Sequence, residues 1–293
     1  MIKMVVVHDG IYHADDVVAA ALIKLMNPDV FILRLSEHEL PPESDEVVIA
    51  DIGGGKFDHH QEDAARRKDG HKHAACGLIL KEFGKQIYPA GVPDELKEFI
   101  KDIEDVDNGV TGSNSCIITK YINLTRPLWD ESNEPAEITR RFKEVVDVIL
   151  EKFLMPYRTS CLMPFANLCF FIDEIDRLSK AFDKSIERAK RIVKDAFKNS
   201  NGKVVVLPAY LPWKNYLVDT TALFVIYKSA RGGINLQCVP KKTYGFDNKI
   251  DLPEKWLKNR PKGCTFVHPT RFLAAFDSFG HALKAANKLT KVA

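Results

Sequence analysis

Three short apolar runs constrain this chain most: KMVVV at 3–7, VFILRL at 30–35 and EVVIA at 46–50. Continuous apolar runs of this length suit parallel strands covered on both faces. Between the first two lies DDVVAAALIKLM, a helical segment stopped by Asn27 and Pro28. The pattern is a β-α-β opening, and it predicts an α/β fold built on a parallel sheet. Two of the runs stop abruptly in residues a core would not choose. The first ends at His8, with His13, Asp15 and Asp16 soon after; the third ends at Asp51, and the Gly53-Gly54-Gly55 turn then leads to Asp58, His59 and His60. Open parallel sheets bind ligands at the carboxyl edge of their strands, where His8 and Asp51 fall.

Each of these residues alone has a structural use: Asp15 as a helix N-cap, His8 as a core histidine, Asp51 as a strand-end turn former. Together they crowd ionisable side chains onto one edge, and crowded carboxylates repel unless a cation is present. A metal site accounts for the group. Carboxylates and imidazoles without thiolate suit Mn²⁺, with Mg²⁺, Fe²⁺, Co²⁺ and Zn²⁺ as competitors. The number of candidates exceeds what one catalytic ion takes and suits two ions about 3.5–4 Å apart, with Asp51 as the natural bridge. Such a pair activates a shared water and clamps the oxygens of a phosphoryl group during in-line attack.

The rest of the chain divides in two. CGLILKEFG and DELKEFIKDIEDVDNG read as amphipathic helices, and a long apolar stripe at 172, 175, 178, 182, 186, 189, 193 and 197 marks a connector helix closed by Asn201-Gly202. Beyond it come short strands separated by Gly and Pro, in KVVVLPAYLPWKNYL, TALFVIYKSARGGINLQCVP and GCTFVHPTRFLAAF, and a terminal helix near HALKAANKLTKV. The expected organisation is a metal-binding catalytic domain over 1–198, connector included, joined to a smaller α/β domain over 199–293. Charge follows the same division. Of 42 Lys and Arg and 40 Asp and Glu, 15 and 5 respectively fall at or after residue 201, so that segment carries +10 and the first 200 residues carry −8. An acidic half suits cations, and a basic half suits a polyanion.

Six scattered cysteines without a C-x-x-C pair argue against a zinc knuckle or a disulfide framework, and are read as reduced and mostly buried. No apolar run approaches the roughly 20 residues of a membrane span, and MIKMVVVHDG enters a strand too soon for a cleaved signal. The expectation is a cytoplasmic protein with no membrane partner; homodimerisation stays open.

HDGIYHADD at 8–16 and DIGGGKFDHHQ at 51–61 resemble the motifs of the DHH phosphoesterase superfamily, and within it the Myg-type (melanocyte proliferating gene) branch. DIEDVDNG at 102–109 resembles its fourth motif, and LPWK, LQCVP, LPEKW and GCTFVHPTRFLAAF resemble its second domain in order, so the likeness is nearly end to end. The resemblance implies that His8, His13 and Asp51 hold one ion and that Asp15, Asp51, His59 and Asp107 hold the other. It implies that His60 faces the substrate phosphate and that Asp58 orients an imidazole from behind. Asp105 competes with Asp107 for the fourth-motif role; Asp107 is favoured because its DNG turn resembles the superfamily's D-x-G. HKHAACG stands where the branch carries a Ser-rich turn, and His71 and His73, beside Lys72, read as solvated loop histidines before site residues.

The expected activity is metal-dependent phosphodiester hydrolysis, with exonucleolytic release of nucleoside monophosphates from RNA or short oligonucleotides. The 3′ to 5′ direction on RNA is what the resemblance implies. Pyrophosphate, a cyclic dinucleotide or a small phosphomonoester are rival substrates for the same core, and a nucleic-acid-binding protein with a structural metal is the rival outside enzymes. In the basic half, SARGGINLQ and FVHPTRF offer Arg231, Gly232, Gly233, His268 and Arg271 to a phosphodiester backbone. Gly232-Gly233 reads equally as a hairpin turn.

Overall fold

The computed structural model describes residues 1–112, 114–229, 232–243 and 247–291. Arg231, one of the expected phosphate contacts, lies outside the described residues. The chain forms two compact units, Met1–Pro127 with Ser132–Ala181, and Leu128–Glu131 with Phe182–Ala293.

In the first unit the apolar runs become β1 (Met4–His8), β2 (Phe31–Leu35) and β3 (Val47–Ile49). They form a parallel sheet in the order β2-β1-β3, with Val5 opposite Ile32 on one side and Val48 on the other. Between β1 and β2 runs α1 (Ala14–Met26), in which every residue except Lys24 and Met26 is buried. That explains its composition: a helix enclosed on all sides is apolar all round, and Ala19, Ala20 and Ala21 let neighbours approach closely. Around it stand α2 (Ala75–Ile87), α3 (Asp94–Asp107), α4 (Ile117–Thr125) and α5 (Pro135–Val148), which continues as a wider π-helical turn over Ile149–Leu154. Helices α4 and α5 are additions to the elements expected from the sequence.

Helix α6 (Phe165–Lys198) starts seven residues before the stripe from which it was expected. The unit boundary falls inside it, between Ala181 and Phe182, so its first half packs Phe171 into one core and its second half packs Ala189 and Val193 into another. A long helix therefore lies between the domains.

The second unit holds β4 (Val204–Val206), α7 (Lys214–Leu217), β5 (Phe224–Lys228), β6 (Ile234–Cys238), β7 (Cys264–Val267), β8 (Leu273–Phe276) and α8 (Phe279–Thr290). Its mixed sheet runs β4-β5-β6-β8-β7, with only β4 and β5 parallel. Phe224, Ile226, Leu236 and Phe276 pack against Ala282 and Ala286 of α8. All six cysteines are free; Cys76, Cys116 and Cys238 are buried, Cys169 and Cys264 are half-buried, and Cys161 is exposed.

Candidate active site

The carboxyl edge of the parallel sheet gathers the motif residues. His8 ends β1, and its Nδ1–H donates to the Asp9 carbonyl at 2.6 Å, which leaves Nε2 for the interior of the site. That nitrogen lies 3.1 Å from Asp16 Oδ2 and 3.4 Å from Asp51 Oδ2. The alignment makes no hydrogen bond, so His8 Nε2 and Asp16 Oδ2 are both buried and unsatisfied. The His13 ring stands next to that of His8, centroids 5.3 Å apart.

The first turn of α1 supplies two fully buried carboxylates. Asp16 accepts from the His13 backbone N–H at 2.8 Å, capping the helix and fixing the loop that carries His13. Asp15 turns the other way and accepts from Ala75 N and Cys76 N, both at 2.8 Å, at the start of α2. Two helix N-termini thus converge on the acidic pocket, and their exposed N–H dipoles favour negative charge there.

Asp51 follows β3 with φ +61°, the left-handed region that a side chain adopts at a cost. Its N–H donates to Phe57 O at 3.0 Å, closing the glycine turn, and its carboxylate is buried. Asp58 organises the turn: Oδ2 accepts from Gly54 N at 2.8 Å, and Oδ1 accepts from His59 N at 2.7 Å and His60 N at 3.1 Å. Asp58 Oδ1 also holds His60 Nδ1 at 2.7 Å. Burial works against the Asp58 carboxylate, but Gly54 and His60 outweigh it and keep its pKa below the ordinary value. His59 is buried, its Nε2 3.1 Å from Asp51 Oδ1, 3.1 Å from Asp107 Oδ2 and 3.8 Å from Asp15 Oδ2, while His60 is exposed. Lys72 Nζ donates to the carbonyls of His59 and Gln61 at 3.2 and 2.7 Å, tying this loop down from outside the motif.

At the end of α3 the two competing aspartates separate. Asp105 pairs with Arg67 and with Lys101 Nζ at 3.3 Å; these cations overcome burial and hold its pKa low. Asp107 faces His59. Arg67 also binds Glu104 Oε2 at 3.0 Å, and Glu104 Oε1 accepts from His73 Nδ1 at 2.8 Å and Ala74 N at 3.1 Å. His73 is therefore part of a strut between the loop and α3, and His71 is exposed.

The site's charges perturb one another. Burial disfavours the imidazolium of His8, yet Asp16, Asp9 and Asp51 raise its pKa to about 9. His59 is raised to about 10 by Asp107, Asp51 and Asp15 against the same penalty. Burial pushes Asp15 well above the carboxylate range, helped by Asp51 and Asp107, and Asp51 rises for the same reason with Asp16 and Asp107 adding to it. Partial desolvation lowers His13, with Arg126 and His8 contributing and Asp16 opposing.

Three groups have donor atoms all within 4.8 Å of one another: His8, His13 and Asp51; Asp51, His59 and His60; Asp15, His59 and Asp107. Asp51 joins the first two and His59 the last two. Nitrogen and carboxylate donors without thiolate, and two buried donor atoms left unsatisfied, fit divalent cations.

The candidates of the second unit are not brought together. Gly232 and Gly233, with φ +86° and +74°, form the β5–β6 hairpin turn, where Ser229 N donates to Gly233 O at 3.0 Å. His268 and Arg271 form the β7–β8 turn, closed by Arg271 N to His268 O at 2.8 Å. Because Ile234 pairs with Phe276 and Gln237 with Leu273, the two turns sit at opposite ends of the sheet, roughly 17 Å apart at strand spacing. Arg271 has φ +61°, and its guanidinium lies 3.5 Å from Asp251.

Lys72 and the Arg67–Glu104 pair are contributors to which sequence reasoning gave no role, and Asp16, counted among the crowded acids, had no individual assignment. For Asp16 the signal was present, as an acid at the third position of a helix after a loop. The others act through contacts distant in sequence.

The chain matches the MYG1_exonuc family, described as uncharacterised protein family UPF0160, over residues 4–169 and 164–289. It is 24% identical to MYG1 exonuclease of Mus musculus over 339 residues, covering 95% of this chain and 82% of that one. The Homo sapiens MYG1 exonuclease is 25% identical over 339 residues, with 95% and 83% covered, and the Dictyostelium discoideum MYG1 protein is 24% identical over 335, with 96% and 94% covered. Among solved structures, the pGpG-specific phosphodiesterase PggH from Vibrio cholrae shares the fold, with a TM-score of 0.52 and 12% identity across 99% of this chain and 98% of that one. With the match running through both units, the chain belongs to the MYG1_exonuc family.

Proposed function

We propose that this protein is a divalent-metal-dependent phosphodiester hydrolase that acts as a 3′ to 5′ exonuclease on RNA or short oligonucleotides and releases nucleoside monophosphates. The observation that carries the reading is the convergence of three histidine and aspartate groups, linked through Asp51 and His59, at the carboxyl edge of a parallel sheet. The relatives named exonucleases support this chemistry, and the fold is one that a pGpG-specific phosphodiesterase also has.

In this reading His8, His13 and Asp51 hold one ion, and Asp15, Asp51, His59 and Asp107 hold the second, with Mn²⁺ the best match to the donors. Ions bound there supply acidity to the attacking water and countercharge to the phosphoryl oxygens. The chain's own groups do the remainder. Asp15 stays fixed by two backbone N–H groups, so its carboxylate is placed before any ligand arrives. Asp58 holds His60 through Nδ1, which presents an oriented, solvent-facing imidazole to the substrate phosphate. Asp105 is committed to Arg67 and takes no ligand role. Residues 199–293 bind the polyanion, with Gly232-Gly233 and His268-Arg271 touching different parts of it.

The test is incubation of metal-stripped protein, with and without Mn²⁺, with labelled RNA, DNA, dinucleotide and pyrophosphate, followed by product analysis. Stepwise mononucleotide release from the 3′ end of RNA, only with metal, is expected. Cleavage of pyrophosphate alone, or binding of RNA without cleavage of anything, refutes the proposal.

A further inference from the structure

Arg67, Arg140, Arg141 and Arg177 of the first unit each have a carboxylate partner. Arg67 is the extreme case, shared among Asp105, Glu104 and Asp69, and those acids raise its pKa despite burial. Arg126 differs. It follows the last residue of α4 and precedes Pro127, with its backbone extended, so the chain leaves the helix at that point. The position is anchored: Thr125 Oγ1 is 3.2 Å from the hydroxyl of Tyr12, a fully buried ring immediately before His13. The α4 terminus is thus fastened to the loop that delivers His13. The Arg126 Nε is buried and bonds to nothing, and among the described residues no carboxylate lies within ion-pair distance of its guanidinium.

The charged groups that act on it lie on the side of the site. Burial lowers the Arg126 pKa, with Asp16, Tyr12 and Asp107 opposing, and Arg126 in turn lowers that of His13. A second guanidinium stands by the same tyrosine. Arg34, near the carboxyl end of β2, lies over the rings of Phe142 at 4.8 Å and Tyr12 at 5.9 Å, and donates to Gly10 O at 2.6 Å. Its Nε is also buried without a partner.

A half-buried cation without a counter-ion is costly, and two beside one loop offer a place where an anion offsets that cost. Guanidinium suits that role because its planar fork takes two phosphate oxygens at once and never loses its charge. We infer that Arg126, with Arg34 beside the same tyrosine, forms an anion subsite next to His13 that binds a phosphate of the substrate adjacent to the scissile group. The first unit then grips the phosphodiester itself and does not depend wholly on the basic C-terminal domain. The inference rests on the phosphodiesterase reading for the identity of its ligand, but not for the existence of the subsite.

The test compares Arg126→Gln, Arg126→Lys and wild type in the full chain. Affinity for a fluorescein-labelled five-nucleotide RNA is read by anisotropy on metal-free protein, with inorganic phosphate as competitor, and Mn²⁺ affinity is read by calorimetry. Arg126→Gln is expected to weaken RNA binding at least tenfold, to reduce the slope of log affinity against log salt by about 0.7 for the lost phosphate contact, and to leave Mn²⁺ affinity within twofold. Arg126→Lys restores the salt slope but only part of the affinity. Thermal stability stays level or rises, because an unpaired desolvated cation has been removed. Unchanged RNA affinity and salt slope in Arg126→Gln, with a lowered melting temperature, would show a purely structural arginine and overturn the inference. If wild type hydrolyses no RNA yet phosphate still competes only when Arg126 is present, the nuclease reading falls and the subsite stands.

Discussion

Gly77 in α2 gives a prediction in which two physical effects have opposite signs. Replacing a helical glycine with alanine ordinarily stabilises by about 1 kcal/mol. Here the added Cβ would lie 1.7 Å from Glu104 Oε1 and 2.5 Å from its Cδ. A flexible carboxylate would normally swing away, but this one is 3% exposed and held by Arg67, His73 and the Ala74 N–H. Each hydrogen bond to a charged group contributes about 1.5–3 kcal/mol, and disrupting a buried pair costs about 3–5 kcal/mol. Against the propensity gain, Gly77→Ala should destabilise the first unit by about 2–4 kcal/mol, which lowers its melting temperature by about 5–15 °C. All three tryptophans belong to the second unit, so their fluorescence is an internal control while far-ultraviolet circular dichroism follows the helical first unit. In a Glu104→Ala background the same substitution should be neutral or stabilising, since the obstruction is gone. A rise in melting temperature for the single Gly77→Ala variant would refute the reasoning.

Asp51→Asn keeps the shape that tolerates φ +61° but removes the shared charge, so turnover should fall at least a thousandfold with a melting temperature within a few degrees of wild type; near-normal Mn²⁺-dependent activity would rule out a bridging role. Asp107→Asn should lose Mn²⁺ affinity, whereas Asp105→Asn should lose stability by about 1–3 kcal/mol with affinity intact, because its partner is Arg67; calorimetry and melting curves on the two variants decide it. His60→Ala should retain metal and slow turnover, and equal loss of metal in His60→Ala and Asp51→Asn would show the division of roles to be wrong. With His8 at about 9 and His59 at about 10, both imidazoles are protonated at pH 7 in metal-free protein, so metal loading should release protons and apparent affinity should climb with pH. Binding enthalpies that do not vary with the ionisation enthalpy of the buffer would exclude that release. The same raised values mean that the imidazolium–carboxylate contacts stabilise the metal-free fold fully below about pH 6.5 and are lost as pH rises through 9 to 10.

The parts of this molecule that were legible in its sequence are those decided locally. An apolar run that ends in His8 or Asp51 identifies both a strand and its carboxyl end, since a buried strand tolerates such residues only where it stops. The start of α1 was legible for the same reason, with acids in its first turn before an unbroken apolar segment. Asp107 was favoured over Asp105 only through the resemblance of its DNG turn, because both are acids near the end of one helix. What separates them is Arg67, 38 residues upstream, whose guanidinium claims one and leaves the other facing His59. The histidines of HKHAACG posed the same problem, and Glu104 on α3 solved it for His73.

In the second unit the difficulty was sheet order. The strands of FVHPTRFLAAF and INLQCVP were visible as strands, but that β8 and not β7 pairs with β6 is a non-local fact, and it places the His268–Arg271 turn at the far end from Gly232-Gly233. Charge counting had the same blind spot. It pointed to the lysine-rich C-terminal segment for phosphate binding, and a count of charges cannot register a single unpaired cation in the acidic part of the chain. Arg126 sits in the acidic half, one arginine before a proline, and nothing within ten residues distinguishes it from a helix-terminal residue interacting with the dipole. Its significance comes from Tyr12, 113 residues before the Thr125 that it touches, which holds the end of α4 against the loop of His13.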